Sequence, residues 1–512
     1  MDTKRSFKTP ECTAVIAALV SGTITHLFGL VNVLHNYDDI AQQPRGYGTG
    51  VTSGRWLLSL LGDFCDLVGG NYNLTFVNGL LFIALIACSA GFLVSVFHIG
   101  SRKMAALVGM LLVAFPSAFS TLAFRYTAVY YGMAMLLSVL AAWILQRHKY
   151  GLFLSALCTA FALGIYQAYV PMTIGIFVLM LLQQTLEGNS AFWKLIRRGI
   201  YYCISLLLGL LFYYLFLEIT LKIYGTELST YQGVNQMGKI ALADLPELVR
   251  EALYSVCMLP LKDYCGLAAS KLIKIAYLLL FIFDALIIGY ILFRKIKKIS
   301  LIFFTAVLCL AFPIAVNFIV IMCPDSWVYT LMVYSFVLVA CAPIILFECI
   351  GLKEDGKQGR RRFLAQGISF VLAMLIGSYA YQTNVNYIAL YYSNRQVENY
   401  LNSLVVQVRM AEGFDTEMDW AFIGEIDDPL LHCYWQYEMN YGGIEFTEWM
   451  LQRYSWGEWI RNYFGYTFPV ASDNEIAELN KSDEVRNMPC WPNEGSIKVI
   501  DDTVVIKCQD LP

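Results

Sequence analysis

The chain has 512 residues; 58% of them are apolar, 15% are charged, and the formal net charge is −3 at pH 7. Soluble proteins usually carry about 25% charged residues, so this composition excludes an entirely soluble globular protein. Apolar runs longer than about 18 residues, the length that crosses a hydrocarbon core of about 30 Å, recur between Thr13 and Asn386. They are continuously apolar rather than alternating, so they predict membrane-spanning helices and not a barrel.

The first predicted helix covers 13–34 and follows three basic residues, Lys4, Arg5 and Lys8. It is too long for a signal-peptide core and no small-residue cleavage site follows it, so we expect it to be retained. The run 151–186 is too long for one crossing and is flanked by basic residues on both sides, so we expect it to cross twice, with a reversal near 166–170. The pattern predicts about eleven helices in all, the others being near 74–97, 104–122, 126–145, 199–223, 273–293, 299–322, 327–347 and 364–388.

Basic residues concentrate in alternate short loops, including 102–103, 147–149, 294–298 and 353–362. Because basic loops stay in the cytoplasm, the alternation predicts a multi-pass membrane protein with a cytoplasmic N-terminus and an external C-terminus. The charge distribution agrees: residues 393–512 contain 8 Lys/Arg and 21 Asp/Glu, against 28 and 18 in the preceding part.

We therefore expect an all-α, polytopic transmembrane domain over 1–392 and a small external soluble α/β domain over 393–512. The transmembrane domain would carry two large outer loops, 35–73 and 224–270. In the first of these loops, apolar residues recur at helical spacing from Trp56 to Val68. This stripe predicts an amphipathic helix that lies in the membrane interface.

Three features are expected in the C-terminal domain. Ser472 with Glu475 predicts a capping box at the start of a helix. The segment 497–507 predicts a β-hairpin that turns at its paired aspartates. We also expect a disulfide between Cys490 and Cys508, which an external compartment permits.

The most informative polar cluster follows the first helix, where His35-Asn36-Tyr37-Asp38-Asp39 is followed by Gly54-Arg55-Trp56. Two adjacent carboxylates raise the pKa of one of them, which suits a general base that takes a proton from a hydroxyl near neutral pH. Arg55 could form an ion pair with the carboxylates or bind a phosphate. The alternative is a solvated acidic loop in which Arg55 and Trp56 anchor the chain at the interface.

Two further outer turns carry candidate residues. Tyr166 and Gln167 precede Pro171 at the predicted reversal, where they could line a polar pocket for a sugar or satisfy the backbone of a turn. Arg125, followed by Tyr126, could bind a lipid-linked phosphate or ordinary headgroups.

Other site classes find little support. Asp284 lies within a predicted span, where a charge is a functional candidate but a structural, Asn317-paired aspartate is equally compatible. No His or Cys spacing indicates a metal site, no cofactor is certain, and the need for a divalent metal stays open. There is no phosphate-binding glycine-rich loop and no nucleic-acid-binding module.

The order of these motifs resembles the serotype-converting O-antigen glucosyltransferases, the type II Gtr group. The resemblance rests on Tyr37-Asp38-Asp39 after the first helix, Gly54-Arg55-Trp56 at the start of an interfacial helix, and the Tyr166-Gln167…Pro171 reversal, and it extends over most of the chain. It implies a GT-C type fold in the bacterial cytoplasmic membrane, in which the first outer loop carries the catalytic acid.

The resemblance further implies a polyprenyl-phosphate hexose as donor, usually glucose, and a cell-surface glycan as acceptor. Asp38 would be the base and Asp39 its support, while Tyr37, Arg55, Arg125, Tyr166 and Gln167 would contact the donor. Two alternatives remain: a transporter or flippase of lipid-linked sugars, and a polymerase or ligase of surface polymers.

Overall fold

The fold is known from a computed structural model that describes residues 9–239, 241–324, 326–350, 358–426, 450–451 and 453–510. Within these residues, ten helices are long and apolar enough to cross a membrane. They are Pro10–Val31, Thr75–Val96, Arg102–Ala123, Arg125–Arg147, Gln167–Leu186, Phe192–Tyr224, Lys271–Arg294, Ile299–Val316, Thr330–Glu348 and Gly359–Met410. Gly151–Ile165 is a shorter apolar helix, so the predicted reversal falls where one helix ends and the next begins.

Local chemistry explains where several of these helices start and stop. Thr9, Ser101 and Ser270 each accept a backbone N–H with the side-chain oxygen at a helix N-terminus, which satisfies a donor that has no partner within the helix. The 33-residue helix Phe192–Tyr224 ends at Gly225, whose φ of 62° is the left-handed conformation that closes many helices.

The described residues form two compact units, one comprising 9–32 and 46–384, the other 33–45 and the residues after 384. In the first unit, the helices Pro10–Val31, Thr75–Val96 and Arg102–Ala114 pack against one another, and Arg125–Arg147 packs on Thr75–Val96 and Gly151–Ile165. The domain boundary predicted at 392/393 stays a prediction.

The loop 35–73, the first of the two predicted to lie outside, contains the predicted helix, over Trp56–Val68. Leu60, Phe64, Leu67 and Val68 are exposed and form an apolar face, as a helix in the interface requires. Trp56 differs from the prediction: it is buried and packs against other aromatic rings of the helical unit. It is therefore a packing residue and not an anchor at the surface.

The loop 224–270, also predicted to lie outside, contains the 3₁₀ turn Tyr231–Gln236 and the helix Leu245–Cys257. Leu248, Ala252 and Val256 on this helix are buried, so this apolar side of the helix faces the protein. The short helix Phe318–Met322 follows Ile299–Val316 and packs against Leu245–Cys257.

The helix Gln358–Met410 has 53 residues and continues well beyond the predicted end near 388. Its last six turns bury Leu390, Val397, Leu401, Leu404 and Val408. This spacing of three or four residues is that of an amphipathic helix. The pattern is too polar to be recognised as a membrane span, which explains why the sequence prediction stopped early.

The C-terminal part of the second unit contains a three-stranded sheet of order β1-β3-β2, formed by β1 (Asp419–Ile423), β2 (Ile497–Ile500) and β3 (Thr503–Lys507). β3 is parallel to β1 and antiparallel to β2. Both residues of the turn between β2 and β3 have positive φ, the geometry of the two-residue turns that suit a twisted hairpin. The predicted hairpin is confirmed. The other elements described in this part are Arg453–Glu458, the π-helical turn Trp459–Tyr463, Asp473–Leu479 and Asp483–Arg486.

The predicted capping box is half formed. Ser472 Oγ accepts the backbone N–H of Glu475 at 3.3 Å. The carboxylate of Glu475 accepts a hydrogen bond from Thr503 Oγ1 on β3 at 2.9 Å. This contact ties the helix Asp473–Leu479 to the sheet, where the buried apolar core of the domain lies.

The prediction of a disulfide between Cys490 and Cys508 is wrong, because both cysteines are free in this structure. The thiol of Cys490 interacts with Asp510, while Cys508 is buried and its backbone N–H continues the pairing of β3 with Ile423. Burial raises the pKa of Cys508 to about 12, so this thiol stays protonated and unreactive at neutral pH.

Candidate functional site

An acidic turn directly after the first helix contains the two predicted carboxylates, and it belongs to the second unit. Asn36 Oδ1 accepts the backbone N–H groups of Asp38 and Asp39 at 3.0 and 2.7 Å. An asparagine commonly caps a helical turn in this way, and the 3₁₀ turn Asp39–Gln42 begins here. The side chain of Asn36 therefore fixes the backbone that carries both carboxylates.

The two carboxylates have different environments. Asp39 is 0% exposed, and its Oδ2 lies 2.7 Å from Nδ1 of His35. Asp38 is only partly buried, as is Tyr37. Of the pair, Asp38 is thus the carboxylate that a substrate can reach.

The start of this turn is held by a side chain of the long helix Gln358–Met410. Asn394 Oδ1 accepts the backbone N–H of His35 at 2.7 Å, and Asn394 Nδ2 donates to the carbonyl oxygen of His35 at 2.8 Å. One amide thereby satisfies both backbone groups of a buried residue. The edge contacts of the His35 ring with Trp459 and Tyr463, at centroid distances of 5.6 and 5.8 Å, complete the surroundings.

The second candidate group lies in the helical unit, around the turn that precedes the helix Trp56–Val68. Gln167 Nε2 donates to the carbonyl oxygen of Ser53 at 2.9 Å and to the hydroxyl of Tyr213 at 3.2 Å. Tyr213 in turn donates to the carbonyl oxygen of Gly54 at 3.0 Å. Gln167 is 6% exposed, so its amide holds the backbone that presents Arg55.

Arg55 lies above a stack of two tyrosine rings. Its guanidinium carbon is 4.7 Å from the centroid of Tyr166, and Tyr166 stacks on Tyr131 at 4.4 Å with an interplanar angle of 3°. A cation above an aromatic face is attracted by the ring quadrupole. The stack therefore fixes the position of a half-buried cation in the first outer loop.

Arg125, the other predicted phosphate contact, is 3% exposed and donates from Nη1 to Thr75 Oγ1 at 2.9 Å. Its backbone carbonyl accepts a hydrogen bond from Asn78. These contacts tie the start of the helix Arg125–Arg147 to the start of Thr75–Val96. Arg125 is much less accessible than Arg55.

The structure thus groups the predicted residues into two clusters, each within one unit. Tyr37, Asp38 and Asp39 lie together in the acidic turn, whereas Arg55, Tyr166 and Gln167 lie around the turn at Gly54. Sequence reasoning missed the partners that position them, including Asn394 and Tyr213. The four-residue spacing of His35 and Asp39 was a usable signal, because residues so spaced meet on a helical turn.

Gly54 is the residue on which the second cluster depends. Its φ is 73°, and a Cβ there would lie 2.7 Å from both Gln167 Nε2 and the Tyr213 hydroxyl. Gly54→Ala should strain the turn by about 1–3 kcal/mol and speed amide hydrogen exchange of residues 53–55 roughly 10- to 100-fold. Gly69→Ala is the matched control, since a Cβ there meets nothing. Equal exchange in both variants would contradict this reading of the turn.

The sequence also raised an Asp284–Asn317 pair and left the need for a metal open. Asn317 does not pair with Asp284: its Nδ2 donates to Ser255 Oγ and to the Tyr264 hydroxyl, at 2.8 and 3.0 Å. Among the residues that the structure does describe, no group of three or more His, Cys, Asp or Glu is placed to hold a metal ion.

One open cavity of about 570 Å³ lies at the end of the helix Phe192–Tyr224, lined among others by Glu218, Lys222 and Glu227. The loop that follows is tied to the first outer loop, since the backbone N–H of Ser229 donates to the carbonyl oxygen of Thr52 at 2.8 Å. The loop beside the cavity is therefore linked to the chain segment that leads to Arg55.

Comparison with known proteins identifies the family. No curated protein and no solved structure matches the chain. Residues 27–340, more than half of the chain, match the family described as Glucosyl transferase GtrII. This stretch includes the acidic turn, the turn at Gly54 and the Tyr166 stack, on long apolar helices of the kind that span membranes. The chain belongs to the GtrII family of membrane glucosyl transferases.

Proposed function

We propose that this protein transfers glucose from a polyprenyl-phosphate donor to a hydroxyl group of a cell-surface glycan, on the outer face of the cytoplasmic membrane. The family supports glucosyl transfer. The observation that carries the mechanism is the acidic turn, where one carboxylate is covered and its neighbour Asp38 is accessible on a backbone fixed by Asn36.

Asp38 is the general base of the proposed reaction. It accepts the proton of the acceptor hydroxyl, whose oxygen attacks the anomeric carbon of the donor. The bond from that carbon to the phosphate oxygen breaks, and polyprenyl phosphate leaves with the bonding electron pair. A single displacement of this kind inverts the anomeric configuration.

Arg55 is the proposed contact for the leaving phosphate. Negative charge grows on the phosphate as the bond to glucose breaks, and a fixed cation stabilises that charge most in the transition state. The guanidinium is held over the Tyr166 ring, and Gln167 and Tyr213 hold the backbone before it. Tyr37 and Arg125 are proposed as secondary donor contacts.

Sidedness is part of the proposal, because the donor and acceptor meet outside the cell. The alternation of basic loops supports a cytoplasmic N-terminus and an external C-terminal domain. In intact cells, a membrane-impermeant maleimide should modify a cysteine at Lys498→Cys, on β2, and leave one at Lys297→Cys, in a basic loop, unmodified. Both lysines are exposed, and peptide mapping separates the new cysteines from the native ones. The reverse labelling pattern would contradict this topology and the function that depends on it.

The donor is tested with purified protein and two glucose donors. Polyprenyl-phosphate glucose should support transfer to a glycan acceptor, whereas UDP-glucose without a lipid carrier should support none. The reason is that UDP-glucose is confined to the cytoplasm, and the described loops predicted to be cytoplasmic are too short to hold a nucleotide-binding domain. Transfer from UDP-glucose alone would exclude the proposed donor. Movement of the lipid-linked sugar across vesicles without transfer would instead favour the flippase alternative.

A further inference from the structure

The two acidic residues of the turn are chemically unequal, and the covered one has a partner that the proposed mechanism does not use. Asp39 and His35 are 0% and 2% exposed, and their side chains meet at 2.7 Å. An isolated carboxylate at such a site would be strongly disfavoured. With His35 protonated, the two side chains together carry no net charge.

We propose that His35 and Asp39 form a buried positioning pair that orients Asp38 and cancels the charge of its neighbour. The inference rests on the proposed role of Asp38 as base. A bare carboxylate next to Asp38 would oppose its ionisation, whereas a neutral pair would not. Asp39 itself is covered and is not a catalytic residue.

The pair is built into the fold from three directions. Asn394, on the long helix, clamps the backbone of His35. Trp459 and Tyr463 cover the imidazole with their ring edges. Asn462 Nδ2 donates to the carbonyl oxygen of Ile40, the residue after Asp39, at 3.1 Å. A hydrogen bond shielded from water in this way is stronger than an exposed one.

The surrounding titratable groups are already engaged. Glu398 accepts from Arg395 at 2.7 Å and from the Tyr463 hydroxyl at 2.6 Å, and Glu458 pairs with Arg461 at 3.4 Å. Burial, reinforced by the bond to Glu398, raises the pKa of Tyr463 to about 12, so this residue stays neutral at physiological pH. If replacing His35 or Asp39 changes the activity–pH profile near neutrality, the change therefore reports on this pair.

The test compares His35→Asn, Asp39→Asn and the double variant in the full-length protein. His35→Asn keeps a donor near the position of Nδ1 but removes the cation, and Asp39→Asn keeps the shape of the side chain. Each single change should lower kcat about 10- to 100-fold with little change in the donor KM. The double variant should lose no more than the worse single variant, because the two residues act as one unit.

The pH profile provides a readout that a merely structural role would not move. Activity requires ionised Asp38. In His35→Asn, no imidazolium balances the charge of Asp39, and this charge opposes the ionisation of Asp38. The acidic limb of the activity–pH profile should therefore move to higher pH. In Asp39→Asn, a neutral amide replaces the acidic neighbour of Asp38, so the acidic limb should stay near its wild-type position. His148→Gln, a change at an exposed histidine, is the control and should retain the wild-type profile.

The expected result is an acidic limb at higher pH in His35→Asn, an unmoved acidic limb in Asp39→Asn, and non-additive losses of kcat. Multiplicative losses with the acidic limb unmoved in both single variants would overturn the positioning pair. The variant Asp38→Asn, measured in parallel, distinguishes failure of the positioning pair from failure of the proposed function. Full transfer by Asp38→Asn would contradict the proposed function itself, whereas an inactive Asp38→Asn with independent pair variants would overturn this inference alone.

Discussion

Asp38→Asn should lower glucosyl transfer by about 10²- to 10⁴-fold, the usual contribution of a general base. The amide has nearly the same shape as the carboxylate but cannot accept the hydroxyl proton. Asp39 cannot replace it, because that carboxylate is buried against His35. Asp38→Glu should retain part of the activity, since it keeps a base that can adjust its position.

The measurement is transfer of radiolabelled glucose from polyprenyl-phosphate glucose under single-turnover conditions, which isolates the chemical step. Glu412→Gln is the matched control. It removes an exposed carboxylate from the same unit and should leave the rate unchanged. If Asp38→Asn and Glu412→Gln transferred glucose at the same rate, Asp38 would not be the base.

Arg55→Gln should lower kcat by about 10²- to 10³-fold, the size of effect seen when one group that stabilises transition-state charge is removed. The donor KM should change much less, because the charge on the leaving phosphate develops mainly in the transition state. Arg55→Lys should restore little. A compact ammonium cannot reproduce the planar guanidinium that lies over the Tyr166 ring.

Arg250→Gln is the matched control for this change. Arg250 lies in the second outer loop, is largely exposed and pairs with Glu247, and exposed pairs of this kind contribute little. A large rise in donor KM with kcat intact in Arg55→Gln would show that Arg55 binds the ground state and the transition state equally and does not act on the chemical step. An unchanged rate in Arg55→Gln would remove it from the site.

Much of the helical architecture follows from the sequence, because long apolar runs leave few alternatives in a membrane. The break at Tyr166 was predictable from basic residues on both sides of the run 151–186. The extension of the last long helix to Met410 was not, since its buried positions lie within a polar stretch. The burial of Trp56 among other aromatic rings could not be predicted either, because a tryptophan after a loop suits the membrane interface equally well.

The sequence suggested the candidate residues but not their environments. The sequence contains Asp38 and Asp39 as neighbours, and only the structure distinguishes the accessible carboxylate from the covered one. The distinction depends on Asn394 and Trp459, which are hundreds of residues away along the chain. Likewise, Gln167 could line a pocket or hold a turn, and its hydrogen bond to the carbonyl oxygen of Ser53 gives it the second role.

The strand order of the C-terminal sheet has a consequence for biosynthesis. The central strand, β3, is the last of the three to leave the ribosome, and it is the strand of this sheet with which β1 pairs. During translation the edge of β1 that faces β3 must therefore wait for the whole intervening segment before its backbone groups can pair. A chain truncated before Thr503 would leave both outer strands without a partner and expose them to proteolysis and aggregation. Premature termination this late in the reading frame should thus remove the protein from the cell by degradation.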